Sequence, residues 1–266
     1  ADEWLVRFLA GTLPEGAKCL TFDDGLLSQY DVALPVLDDL KIKGFFFPYT
    51  AHLAGATPRL AAYKYFRSTY FDTPQEFYHG FFKSLSLVLS DHELQQRLSG
   101  ISRAHYESFP QFYSKEDRHF QVVRDLVLSK EEYQSTVDSM ISGQGASLQD
   151  LLAKASMSAD QLEDLARRGH ILGLHSHSHP LLLGDLPQAE QREEYLECEK
   201  WLRRLSGKPI VTMSHPSNSY TPETLDILKE MGVKLGFRAN IKKPEGSNLE
   251  VPRVDHMDYC NILKIA

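Results

Sequence analysis

Two apolar runs near the N-terminus restrict this chain more than any other feature. Residues 17–25, AKCLTFDDG, pass from apolar side chains into two adjacent aspartates and a glycine. Residues 44–50, GFFFPYT, make a second apolar run. The stretch between them, SQYDVALPVLDDLKIKG, places Val32, Val36, Leu37 and Leu40 at helical spacing. A helix is expected there, with Pro35 marking a kink or a late start. Strand, helix and strand at this length form a βαβ unit, so the two strands run parallel.

The pattern then changes. Residues 55–157 are rich in aromatic and charged side chains at helical spacing, and they predict a helical insertion within a single catalytic domain spanning residues 1–266. The segments PQEFYHGFFKSLSLVL, SDHELQQRLSGI and SKEEYQSTVDSMI open on Pro or Ser near acidic residues, as helix starts do. Their histidines, with His79, His92, His105 and His119 scattered, read as surface or core residues. Alternation resumes at Ser158, where SADQLEDLARRG carries a Ser cap, Gln161 three residues on and Gly169 at its end. Strands are expected at HILGLHSHS, PIVTMSHP, VKLGFRAN and LEVPRVD. Helices are expected at PQAEQREEYLECEKWLRRLSG and at TPETLDILKEMG, the latter with Thr221 as cap and Pro222 in its first turn. The architecture implied is an α/β barrel or open sheet.

The formal charge of −7 offers no basic field, so nucleic acid is not expected as a partner. Three widely spaced cysteines, Cys19, Cys198 and Cys260, argue against a disulfide framework or a thiolate zinc site and favour a reducing compartment. No run approaches the roughly 18 apolar residues of a membrane span. A cytoplasmic location is the expectation, with a cleaved signal peptide as the alternative.

The stretch GHILGLHSHSHP puts histidines at 175, 177 and 179, just beyond an apolar strand. Strand ends carry sites in α/β folds, and neutral imidazoles suit a borderline divalent metal. On a helical turn His175 and His179 would face one ion, whereas in an extended strand all three rings would share a side. Two histidines with one carboxylate form a common open metal site. That answers why two aspartates stand together in TFDDG: one holds the ion, and its neighbour serves as general base.

TFDDG followed downstream by H-S-x-S-H-P, itself preceded by a Gly-His pair, resembles the polysaccharide deacetylase (NodB-homology, carbohydrate esterase family 4) family. The resemblance covers residues 17–50 and 158–255. It implies a distorted (β/α)7-type barrel and a metal-dependent hydrolase that removes N- or O-acetyl groups from sugars. It implies Asp23 as catalytic base, Asp24, His175 and His179 as metal ligands, and His177 as a spectator. Zinc is the ion first expected, with cobalt, nickel or manganese as alternatives. SHPSNSY, Ser214 to Tyr220, is similar to the family's groove-lining segment, with His215, Pro216, Ser217 and Tyr220 as substrate-binding residues and His215 and Pro216 at the rim. Asn218 stands where Gly is usual and tolerates left-handed geometry. VPRVDHM departs further from the family pattern: Arg253 is expected to pair with Asp23 and lower its pKa, and His256 is the candidate general acid. Arg238, in GFRAN, is read as a sugar contact or a salt-bridge partner.

The substrate implied is an acetylated amino sugar, either a glycan or a soluble precursor such as a nucleotide sugar, with the insertion capping the groove. Two alternatives from other classes are a catalytically silent sugar-binding barrel and a related amidohydrolase, such as a deformylase or linear-amide hydrolase. The apolar FYHGFF segment is expected to pack on the barrel or to form a homo-oligomer surface.

Overall fold

The computed structural model describes residues 1–102, 114–240, 246–255 and 259–260. Its strands are β1 (Thr21–Asp23), β2 (Phe45–Phe47), β3 (Ile171–Leu172), β4 (Thr212–Ser214), β5 (Leu235–Arg238) and β6 (Val251–Pro252). They pair in the orders β1-β2-β3 and β4-β5-β6, and every ladder is parallel. A parallel bridge between Leu174 and Met213 joins the two sheets. Leu174 N–H donates to Thr212 O, and Ser214 N–H donates to Leu174 O, each at 2.9 Å. Because all six strands point the same way, their C-terminal ends share one rim, which is where α/β barrels carry chemistry.

The chain divides into two compact units, Ala1–Pro58 with Ser156–Ala266, and Arg59–Ala155. In the first, the alternation of β2 decides the packing. Phe46 faces outward into a layer that includes Leu162, Leu165, Tyr195, Cys198 and Leu202 of the surrounding helices. Phe45 and Phe47 face the other way, where Leu235, Phe237 and Leu5 meet them. Leu5 comes from the helix Asp2–Leu9, which also brings Trp4 edge-on to Phe45 at 6.0 Å.

The helix expected after β1 forms in two parts, a π-helical turn Gln29–Ala33 and the α-helix Leu34–Asp39, with Pro35 in its first turn. The wider π turn advances the register, so the buried residues are Leu34 and Leu37. Val32, Val36 and Leu40, expected on the apolar face, are exposed. The expected caps form at Ser158 with Gln161 and at Thr221 with Pro222. The long helix Gln188–Ser206 ends in Gly207 with φ 65°, in the left-handed region.

The second unit is helical: Arg59–Thr69, Pro74–Leu85, Asp91–Ser99, Lys115–Val122, Lys130–Gly143 and Leu148–Ala155. Capping boxes at Ser90, Ser114 and Ser129 start three of these helices. The apolar FYHGFF segment is consumed here. Phe77, Tyr78 and Phe81 are buried, with Phe81 and Phe120 rings packed edge to face at 5.0 Å. Within this unit the rings of that segment pack on one another and on Phe120.

Gly173 lies between β3 and the first metal-candidate histidine. A Cβ there would stand 2.4 Å from the Phe47 ring and 2.5 Å from Thr212 Oγ1. Only a residue without a side chain lets the chain pass this point. Gly173→Ala is expected to destabilise the protein by about 1–3 kcal/mol through overpacking, read by urea or thermal unfolding.

Candidate active site

Asp23 closes β1, and Asp24 follows with φ 71°. Aspartate is among the few side chains that take this left-handed conformation readily. Gly25 continues at φ 67°, where a Cβ would lie 2.7 Å from Pro48 Cβ. This tight turn sends the neighbouring carboxylates to different partners, which relieves their mutual repulsion.

Asp24 meets two imidazoles. Its Oδ1 lies 3.5 Å from His175 Nε2 and 3.3 Å from His179 Nε2. The candidate ligand atoms of the three residues all fall within 4.8 Å of one another. His175 is buried, and its Nδ1 lies 2.9 Å from the Ser214 carbonyl. A carbonyl only accepts, so Nδ1 carries a proton, and in the neutral ring Nε2 turns its lone pair toward Asp24. A lone pair aimed at a carboxylate oxygen needs a positive charge between them. A tetrahedral ion with bonds of about 2.0–2.1 Å sets its ligands roughly 3.3 Å apart, so this donor set fits a divalent cation.

The HSHSH stretch is neither the strand nor the helical turn that its spacing allowed. Strand pairing stops at the Leu174–Met213 bridge, and Ser176 and His179 adopt φ of 62° and 57°. Ser176 Oγ accepts the His179 N–H at 3.1 Å. This compact turn brings the His175 and His179 ring centroids to 4.9 Å. His177 is turned away, its Nδ1 2.9 Å from Thr50 Oγ1.

Asp23 is held by Arg253. Nη1 donates to Oδ1 at 2.8 Å and Nη2 to Oδ2 at 2.7 Å, a two-pronged pair. The Ser214 hydroxyl donates to Oδ2 at 3.0 Å and accepts from Arg253 Nη2 at 3.0 Å. Burial opposes ionisation of Asp23, but a protonated His175, the Arg253 guanidinium and the Ser214 hydroxyl outweigh it and keep its carboxyl below the usual range. Burial likewise opposes a charged His175, and the Asp23 and Asp24 carboxylates reverse that and raise its pKa. In both cases the site stabilises separated charge, which is what a cation or a proton supplies.

The SHPSNSY segment differs from its expectation. His215 is 1% exposed, so it does not stand at the rim, and Pro216 is buried beside it. Its Nε2 donates to Leu249 O at 2.8 Å, and its ring stacks on Tyr220 at 4.0 Å. Burial pushes its pKa down to about 4, so it is neutral and unsuited to donating a proton near neutrality. Ser217 is exposed at φ 49°, and Asn218 takes the left-handed geometry expected of it at φ 57°. Tyr220 donates its hydroxyl to Glu250 at 2.9 Å. Arg238 is only 8% exposed at the end of β5, and its carbonyl accepts from Arg253 Nε at 3.2 Å. His256 lies outside the described residues.

Ser214, which binds both Asp23 and Arg253, was not singled out in the sequence. Its signal is positional: it ends β4 as Asp23 ends β1.

Residues 135–236 match the family model described as polysaccharide deacetylase. That stretch of the chain is similar to the polysaccharide deacetylase family. The matched stretch holds His175, His179 and Ser214, while Asp23, Asp24 and Arg253 lie outside it and reach the same site through the fold. The fold of the chain is similar to three solved structures. One is the Streptococcus pyogenes deacetylase PplD in complex with acetate, at 16% identity and a TM-score of 0.53 over 99% of this chain and 77% of that one. The second is the BpsB deacetylase domain from Bordetella bronchiseptica, at 15% and 0.51 over 94% and 75%. The third is IcaB from Ammonifex degensii, at 17% and 0.50 over 96% and 76%. No curated protein sequence matches the chain.

The neutral His215 gives the domain a pH signature. An unfolded chain protonates this residue below its ordinary value of about 6.5, whereas the folded protein resists until about 4. The unfolded state binds more protons in that window, so stability falls as pH drops through it. A shift of this size is worth about 3 kcal/mol. His215→Asn, which still offers an N–H to Leu249 O, is expected to flatten the stability profile between pH 6.5 and 4 by up to about that amount, measured by denaturant unfolding across pH.

Proposed function

We propose that this protein is a zinc-dependent hydrolase that removes the N-acetyl group from an amino sugar of a glycan. The observation that supports it most is the convergence of Asp24, His175 and His179 beside an Asp23 that Arg253 holds ionised. Asp24, His175 and His179 would hold the ion, and two imidazoles with a carboxylate suit zinc while leaving a coordination position open. A cation bound there supplies Lewis-acid polarisation of an acyl oxygen and lowers the pKa of a bound water.

The chain's own residues supply the rest. Asp23 accepts the proton of the water that attacks the acyl carbon. Arg253 and Ser214 fix the direction of its carboxylate and keep it unprotonated at working pH. The exposed backbone at Ser217 is assigned to the oxyanion, and Tyr220 and Arg238 to the sugar. His215 and Pro216, being buried, are assigned to support of that turn rather than to sugar contact. His256 is assigned as the acid that protonates the departing amine, on its sequence position. The helical residues are assigned as an insertion within one catalytic domain.

Incubation with N-acetylglucosamine oligomers is expected to release acetate and free amine. Asp23→Asn is expected to retain the metal and lose about 10²- to 10⁴-fold in rate, the worth of acid–base assistance. Asp24→Ala and His179→Ala are expected to lose metal and activity together. Full activity in Asp23→Asn, or release of formate or ammonia instead of acetate, would contradict the proposal.

A further inference from the structure

Glu194 lies fifteen residues beyond His179 and forms no part of the metal cluster, yet it binds the turn that carries it. Its Oε2 accepts the His177 N–H at 2.8 Å and the Ser178 N–H at 2.7 Å. Its Oε1 accepts the Ser178 hydroxyl at 2.5 Å. The need for it follows from the backbone. Strand pairing ends at the bridge of Leu174 with Met213, and the amides of residues 177 and 178 bind a side chain instead. Ser176 at φ 62° turns two consecutive N–H groups to one side, the concave arrangement that binds anions. One carboxylate oxygen fills it.

The support behind this carboxylate is rigid. Glu194 stands on the helix Gln188–Ser206, whose Gln191, Tyr195, Cys198 and Leu202 are buried. On the opposite side the His177 carbonyl accepts the N–H groups of Thr50 and Ala51 at 3.1 and 2.9 Å. The turn is therefore gripped from both sides, with Glu194 providing the side-chain grip on its amides. The His179 N–H is satisfied inside the turn, by Ser176.

We propose that Glu194 is a positioning residue for the metal centre: by binding the amides of residues 177 and 178 it fixes the turn that brings His179 to His175 and Asp24. The proposal rests on the metal-site reading given above. Glu194 touches no reacting atom, and its effect reaches the ion through His179.

The test is Co²⁺ binding to the metal-free protein, followed by equilibrium dialysis and by the visible absorption of the bound ion, which reports ligand geometry. Glu194→Ala is expected to weaken Co²⁺ binding by about 10- to 100-fold, the usual cost of removing a group that orients metal ligands. Two further variants separate position from charge. Glu194→Gln loses the charge but keeps an oxygen that can accept both N–H groups, and it should recover most of the affinity. Glu194→Asp keeps the charge but is one methylene short, and it should bind weakly with an altered spectrum. This pair decides the matter even if Glu194→Ala fails to fold. Glu193→Gln, an exposed charge on the same helix, should leave binding unchanged.

Wild-type affinity and spectrum in Glu194→Asp and Glu194→Ala would overturn the proposal. So would equal losses in Glu194→Gln and Glu193→Gln, which would assign the effect to charge alone. Failure of the wild-type protein itself to bind Co²⁺ through Asp24 would overturn the metal-site reading, and this inference with it.

Discussion

The His175 and His179 Nε2 atoms and a carboxylate oxygen of Asp24 face one another across a few ångströms. Asp24 Oδ1 lies within 3.5 Å of both Nε2 atoms. The Ser214 carbonyl fixes the proton of His175 on the far side of its ring, so rotation of the tautomer offers no escape. Such an arrangement is stable with a cation at its centre or with a shared proton. The rest of the rim follows from this constraint. Asp23 must point away from Asp24, and the left-handed turn at Asp24 and Gly25 makes it do so. Once turned away, it needs a cation of its own, and Arg253 provides it from the end of the last strand.

The fold makes these contacts inexpensive. Asp23, Ser214, Arg238 and Arg253 all come at or just after the C-terminal ends of parallel strands. Side chains far apart in sequence thus arrive on one rim through backbone pairing, with little further ordering of loops. Asp23 and Arg253 are 230 residues apart and meet as a two-pronged ion pair. The bridge from Leu174 to Met213 matters most, because it sets His175 beside Ser214 and so joins the metal cluster to the base.

Much of this could be read from local chemistry. β1 and β2 were legible because short apolar runs between turn residues leave few other structures. The helix starts at Ser158 and Thr221 were legible because capping is a contact between near neighbours. The Arg253–Asp23 pair was expected from family likeness and strand position together. The failures share a cause, which is dependence on a non-local or register-shifting contact. The π turn at Gln29–Ala33 displaced the apolar face of the following helix, and periodicity counting assumes a constant 3.6 residues per turn. The histidine run looked like a strand because its alternation has period two. It leaves strand pairing after Leu174 because Glu194 and Thr50 satisfy its backbone instead. His215 looked like a rim residue from its place beside Pro216, whereas the Leu249 carbonyl and the Tyr220 ring draw it inside.

The most direct test of this account is anomalous X-ray scattering from crystals grown with zinc. A single dominant peak is expected within about 2 Å of Asp24 Oδ1, His175 Nε2 and His179 Nε2. A dominant peak at another place, or a zinc-saturated crystal in which those three side chains stand apart, would contradict it.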